Sequence, residues 1–115
     1  MRETIKVSAV IGGKICVAVE DGQKLFDILY QAITENVQLE VSFEGIDLII
    51  SAFLNVAIGQ LYGTFSEEII TKAIVYSHLE DDDKELLRRV VANALRYFSN
   101  QDGYDSAVRE VLEYA

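Results

Sequence analysis

Residues 37–44 read Val37-Gln38-Leu39-Glu40-Val41-Ser42-Phe43-Glu44, and the alternation in them decides the class of fold. A strand sends successive side chains to opposite faces. Val37, Leu39, Val41 and Phe43 therefore share a dry face, and Gln38, Glu40, Ser42 and Glu44 a wet one. A strand covered by helices on both sides would instead be apolar almost throughout. The expectation is an α/β domain whose helices lie mainly on one face of its sheet.

Upstream, Asp21 and Gly22 open a helix that runs to about Glu35. Its Leu25, Ile28, Leu29, Ala32 and Ile33 fall at i, i+3, i+4, i+7 and i+8. Before it, Thr4–Ile11 and Lys14–Glu20 are rich in β-branched residues and flank Gly12-Gly13, the pattern of an N-terminal β-hairpin. Gly12-Gly13-Lys14 lacks the spacing and the Ser/Thr of a phosphate loop.

Downstream, Ser51 to about Phe65 reads as a helix. Ser51, Asn55, Gly59 and Gly63 stripe it with small or polar side chains, which suits close approach of a neighbour. Ala73–Ser77 reads as a short strand. From Asp82 to about Ser99, Leu86, Leu87, Val90, Val91, Ala94, Leu95 and Phe98 line one face of a long helix. Asp81, Asp82 and Asp83 crowd its positive end, where carboxylates satisfy amides and oppose the macrodipole, so the acidic run needs no metal. A turn at Asn100–Gly103 precedes a last helix, Tyr104–Tyr114, with Tyr104, Val108, Val111 and Leu112 facing in.

Strand–helix–strand alternation implies parallel neighbours joined by right-handed crossovers, and the hairpin would make the sheet mixed. With no proline, repeat or low-complexity linker, residues 1–115 read as a single domain. A chain of this size buries about two-thirds of the surface its unfolded form exposes, enough for a core without disulfides or a metal.

A net charge of −9 repels phosphate backbones and anionic lipid heads, which argues against nucleic acid as a partner. Leu48–Ser66 contains no charged residue, but Ser51, Asn55, Gln60 and Thr64 interrupt it, and acids rather than Lys or Arg flank it. That favours a buried helix over a membrane span. The single cysteine, Cys16, excludes an intrachain disulfide and sits in an apolar run, as a buried thiol does. The amino terminus carries no signal-peptide pattern, so cytoplasm is the expected location. One histidine, His78, and one cysteine cannot build a histidine-pair or zinc-cluster site, and no nucleophile elbow or nucleotide-binding glycine pattern is present. Glu44 and Asp47 read as solvated loop acids. The expectation is a non-enzyme without a cofactor.

The segment Val41-Ser42-Phe43-Glu44-Gly45-Ile46-Asp47-Leu48-Ile49-Ile50-Ser51-Ala52-Phe53-Leu54-Asn55 resembles the central motif of STAS domains, the sulfate-transporter and anti-sigma-factor-antagonist family. There a strand, a short loop and an Asp-Ser-Ser-Gly-Leu-like segment lead into a helix. Ser51 falls at the regulatory serine and Leu54 at the motif's leucine. Ile50 stands where the family has an acid, Ala52 where it has a second serine, and Phe53 where it has glycine. The nearer resemblance, from about Thr4 to Phe98, is to a bacterial STAS-like family of unknown function. It rests on Phe43-Glu44-Gly45-Ile46, Ser51–Asn55, Ala57-Ile58-Gly59 and Leu61-Tyr62.

The resemblance implies a right-handed βα superhelix with sequential strands and helices on one side. It also implies a regulatory module that binds a protein partner, such as a histidine-kinase-type ATPase, through Asp47, Ser51, Phe53, Leu54 and Asn55. Ser51 becomes the phosphorylation candidate, because a phosphoryl group adds nearly two negative charges to a packed interface. Ser51 also reads as the N-cap of its helix. A non-switching scaffold or dimerisation domain, in which two copies pair, and a small-molecule-binding domain are the alternative readings.

Overall fold

Two parallel ladders organise residues 2–99, the part of the chain that the computed structural model describes. The elements are β1 (Arg2–Lys6), α1 (Val7–Ile11), β2 (Ile15–Cys16), α2 (Val19–Thr34), β3 (Gln38–Ser42), β4 (Leu48–Ile49) and α3 (Ser51–Ala57). A 3₁₀ turn (Gly59–Gly63), α4 (Glu67–Ala73), β5 (Ile74–Ser77) and α5 (Asp81–Ser99) complete the order. The turn at 100–103 and the last helix expected at 104–114 lie outside the described residues.

β1, β3 and β5 lie side by side in that order, all parallel, with Ile5 opposite Val41 and Val41 opposite Tyr76. The alternation of residues 37–44 is realised only in part in β3: Leu39 and Val41 are buried, Gln38 is exposed and Glu40 half-buried, but Ser42, expected on the wet face, is buried at 3 % exposure. Leu39, Val41 and Ile74 join one core with Leu25, Leu29 and Ile33 of α2, Phe53, Leu54 and Ala57 of α3, and Ile70 of α4. Arg2, Thr4 and Lys6, in register with the polar positions of β3, are exposed.

The expected N-terminal hairpin does not form. β1 ends at Lys6, and residues 7–11 coil into α1, so β1 never pairs with β2; each takes a parallel partner from further along the chain. Gly12 explains the misreading. It holds φ 69° and ψ 32°, and its N–H and that of Gly13 both donate to the Ser8 carbonyl, at 2.9 and 3.2 Å. A glycine of positive φ closes a helix as readily as it turns a hairpin. Here it does the former, and both described sheets are parallel rather than mixed.

The helix expected over 51–65 is shorter. It breaks at Ile58 into the 3₁₀ turn, and a separate helix, α4, follows. Ser66 starts α4 as a true cap, its Oγ accepting the Ile69 N–H at 3.2 Å. The small-residue stripe receives a neighbour, as its composition suggests, and that neighbour is α5. A Cβ added at Gly63 would stand 2.8 Å from the Phe98 ring, and one at Gly59 would touch Val90 and Ala94.

α2 approaches α3 as tightly. A Cβ at Gly22 would meet the Phe53 carbonyl oxygen at 3.0 Å and the Val56 Cβ at 3.1 Å. Glycine to alanine within a helix ordinarily gains up to about 1 kcal/mol from propensity. Gly22→Ala is expected to reverse that sign and destabilise by about 1–2 kcal/mol, because the obstructing atom is backbone and cannot swing aside. Urea denaturation of the two proteins measures it. A second substitution calibrates the core: Phe53 is fully buried, so Phe53→Ala is expected to cost about 3–5 kcal/mol.

Candidate interaction surface

β2 and β4 form a ladder only two residues long, with Ile15 opposite Leu48 and Cys16 opposite Ile49. Amide–carbonyl bonds extend it at both ends, Asp47 N–H to Lys14 O at 2.8 Å and Ile50 N–H to Cys16 O at 3.1 Å. Two runs of three consecutive side chains in this ladder, Ile15-Cys16-Val17 and Leu48-Ile49-Ile50, are apolar, yet a pleat can bury only alternate ones. Cys16 and Ile49 turn inward and are buried.

The others turn out. Ile15 is 51 % exposed, Val17 39 %, Leu48 49 % and Ile50 37 %, and Val19 at the start of α2 adds a fifth aliphatic side chain at 53 %. Their exposed area is on the order of 400 Å², the scale of the largest apolar patch on a typical monomer and one that is often functional. Sequence reasoning missed all five. The available signal was the unbroken apolar triplets, since a strand with one wet face should alternate.

Ser51 begins at the end of this ladder. It is exposed, and it occupies the first helical position of α3 rather than the cap. Ile50 holds the cap position, with no side chain capping the amides, so the expected N-cap role of Ser51 is not realised. Asp47 and Asn55 are also exposed. Phe53 and Leu54 are not available to a partner: the first turn of α3 faces them toward α2, leaving 0 % and 1 % of their surface exposed. The expected contact set thus divides into Asp47, Ser51 and Asn55 at the surface, and Phe53 and Leu54 in the core that fixes them there.

The surroundings of the ladder are acidic. Asp47 and Glu20 are exposed, and Asp21 contacts Lys24 at 3.7 Å. Burial pushes the Cys16 thiol up to about 12, and the carboxylates of Asp21 and Asp83 push it the same way. Behind it, a cavity of about 330 Å³ opens at the carboxyl ends of β3 and β5, lined by Glu44, Gly45, Ile49, His78 and Asp83 among others. His78 follows β5 directly with φ 58°, and Glu44 pairs with Lys6 at 3.3 Å. Among the described residues no group of three His, Cys, Asp or Glu side chains could hold a metal ion, and no helix is long and apolar enough to cross a membrane.

These features define a small parallel α/β domain that exposes an aliphatic ladder beside a helix-opening serine. The family model described as a STAS-like domain of unknown function (DUF4325) matches residues 21–84, and the chain belongs to that family. The match spans β3, β4, α3 and β5, the elements that carry Ser51 and half of the ladder. Searches with the chain returned no match among curated proteins or among solved structures.

The thiol beneath the ladder reports its integrity. Thiolate is the reactive form, and a fully buried thiol with so high a pKa supplies almost none at neutral pH. Iodoacetamide at pH 7.5 is expected to leave Cys16 unmodified in the native protein and to alkylate it in urea. Mass spectrometry of the two reactions distinguishes these states.

Proposed function

We propose that this chain is a regulatory protein-interaction module, binding a protein partner through the ladder face and the surface at Ser51. One observation carries the reading: five aliphatic side chains stand half in water beside an exposed serine on a rigidly held helix start. Leaving them exposed costs solubility and contributes nothing to the fold, whereas covering them on association gains roughly 25 cal/mol per Å² removed from water before the costs of binding.

Membership of a STAS-like family supports the same reading, and a histidine-kinase-type ATPase is the partner class the resemblance suggests. The role asks for no catalysis by this chain. Phosphorylation of Ser51 would then act as a switch. The phosphoryl charge must be desolvated if a partner covers it, whereas in the free protein it stays in water. The geometry also supports substitution there without loss of fold, because the hydroxyl is exposed and caps nothing.

The test is capture of the partner from lysate by immobilised wild type, Ser51→Ala, Ser51→Glu and Leu48→Ser, beside their melting curves. All four are expected to melt within a few degrees of one another, as surface substitutions usually do. Wild type and Ser51→Ala should retain the same partner, while Ser51→Glu and Leu48→Ser should release at least nine-tenths of it. Equal capture by all four overturns the assignment of this surface.

A further inference from the structure

Near the carboxyl end of α5, three aromatic side chains bound a cavity instead of filling one. Tyr62 of the 3₁₀ turn, Phe65 just beyond it and Phe98 of α5 line a space of about 190 Å³, together with Leu95 and Glu67. All three rings are half-buried. Two are braced by neighbours that do not line the cavity. Phe65 packs against Tyr30 with ring centroids 5.1 Å apart, and Phe98 sits edge-on to Tyr97 at 4.8 Å. The Phe98 ring also closes on Gly63, where a Cβ would stand 2.8 Å away. Side chains held in this way need little further ordering when a ligand enters.

The polar groups at the cavity are few, and most are already engaged. Ser66 Oγ accepts the Ile69 N–H, and Ser99 Oγ donates to the Arg96 carbonyl, each at 3.2 Å. Glu67 is different. It is exposed, and among the described residues it enters no ion pair, whereas its neighbour Glu68 contacts Lys72 at 3.1 Å. No Lys or Arg lines the cavity.

Aromatic rings beside an unneutralised carboxylate attract a cation. What the walls lack decides which cation. A primary ammonium or a guanidinium brings several N–H donors, each needing an acceptor once it leaves water, and the walls have few to give. A quaternary ammonium carries the charge with no N–H at all, and its methyl groups pack against rings. The volume sets the size, since pockets for drug-sized ligands run to roughly 300–1,000 Å³ and this one is smaller.

We propose that this cavity binds the quaternary ammonium group of a small free molecule, with Tyr62, Phe65 and Phe98 as its cage and Glu67 as its counter-charge. The site is separate from Ser51 and the ladder, none of whose residues line it.

The probe is choline, titrated into the ¹⁵N-labelled whole protein at constant ionic strength and followed by amide chemical shifts. Its control is 3,3-dimethylbutan-1-ol, which has the same shape with carbon in place of nitrogen and no charge. Choline is expected to saturate shifts around residues 62–67 and 95–99 with a Kd on the order of 1 mM, and the neutral control to bind at least about tenfold more weakly. Glu67→Gln should weaken choline about fivefold, while Glu68→Gln stays within about twofold. Tyr62→Phe, which keeps the ring, should bind as wild type does. Tyr62→Leu should lose at least about fivefold, with melting curves to show that it still folds.

Equal binding of choline and its neutral control would make the cavity merely apolar and overturn the proposal. Equal effects of Glu67→Gln and Glu68→Gln would reduce the attraction to bulk charge, and neither result requires the Tyr62 variants to fold. Absence of saturable shifts overturns it directly. Phosphatidylcholine vesicles that bind where free choline does not would make the ligand a membrane. A trimethyllysine peptide that binds about tenfold more tightly than choline would make it a protein. Either outcome overturns the small free ligand.

Discussion

Where α2 crosses the opening turn of α3, Gly22 faces the carbonyl of Phe53 with room for no side chain between them. That closeness lets Phe53 and Leu54 sink fully into the core beside Leu25 and Leu29. With two of its first four residues buried, α3 has no rotational freedom left. Ser51 is held outward by the residues that follow it, and β4, just before it, is held against β2. The exposed ladder and the serine beside it are therefore positioned by one helix–helix contact. Loosening that contact would move the serine and the ladder together.

The ladder shows how little regular structure an exposed face requires. Two paired residues and their flanking amides suffice to place four aliphatic side chains on one side and two on the other. A longer sheet would have demanded polar outward positions to stay soluble, as β3 has in Gln38 and Glu40. The short one carries its apolar outward positions beside acids that keep the surface hydrated.

Periodicity made the long elements readable. α2, β3 and α5 stand within a few residues of where their patterns place them, since each buries one face over many residues and the burial writes itself into the spacing. The short elements were misread for a common reason. Thr4–Ile11 is rich in β-branched residues, yet five of its eight residues are helix, because α1 is set by its packing against α2 and by Gly12, and local propensity is weak against both. The break at Ile58 follows from the approach of α5 to Gly59 and Gly63, a contact between residues more than 30 positions apart that no local window contains. The serine could be found from its motif. Its helical position could not, because Ile50, an unusual cap, occupies the place where a side-chain oxygen would have been expected.

Every strand pair in the described chain joins distant segments. Arg2 meets Gln38 across 36 positions, Leu39 meets Ile74 across 35, and Ile15 meets Leu48 across 33. No local hairpin offers an early foothold. Each ladder can close only after the helix between its strands has shortened the path, and the entropy of closing those loops is spent before any sheet contact returns it. A domain wired in this way folds through its helices, with α2 the first candidate for order. Until the ladders close, the apolar triplets around Cys16 and Ile49 stand open to any other unfolded chain. The acids beside them, Glu20, Asp21 and Asp47, then serve as gatekeepers during synthesis, a role the finished surface no longer reveals.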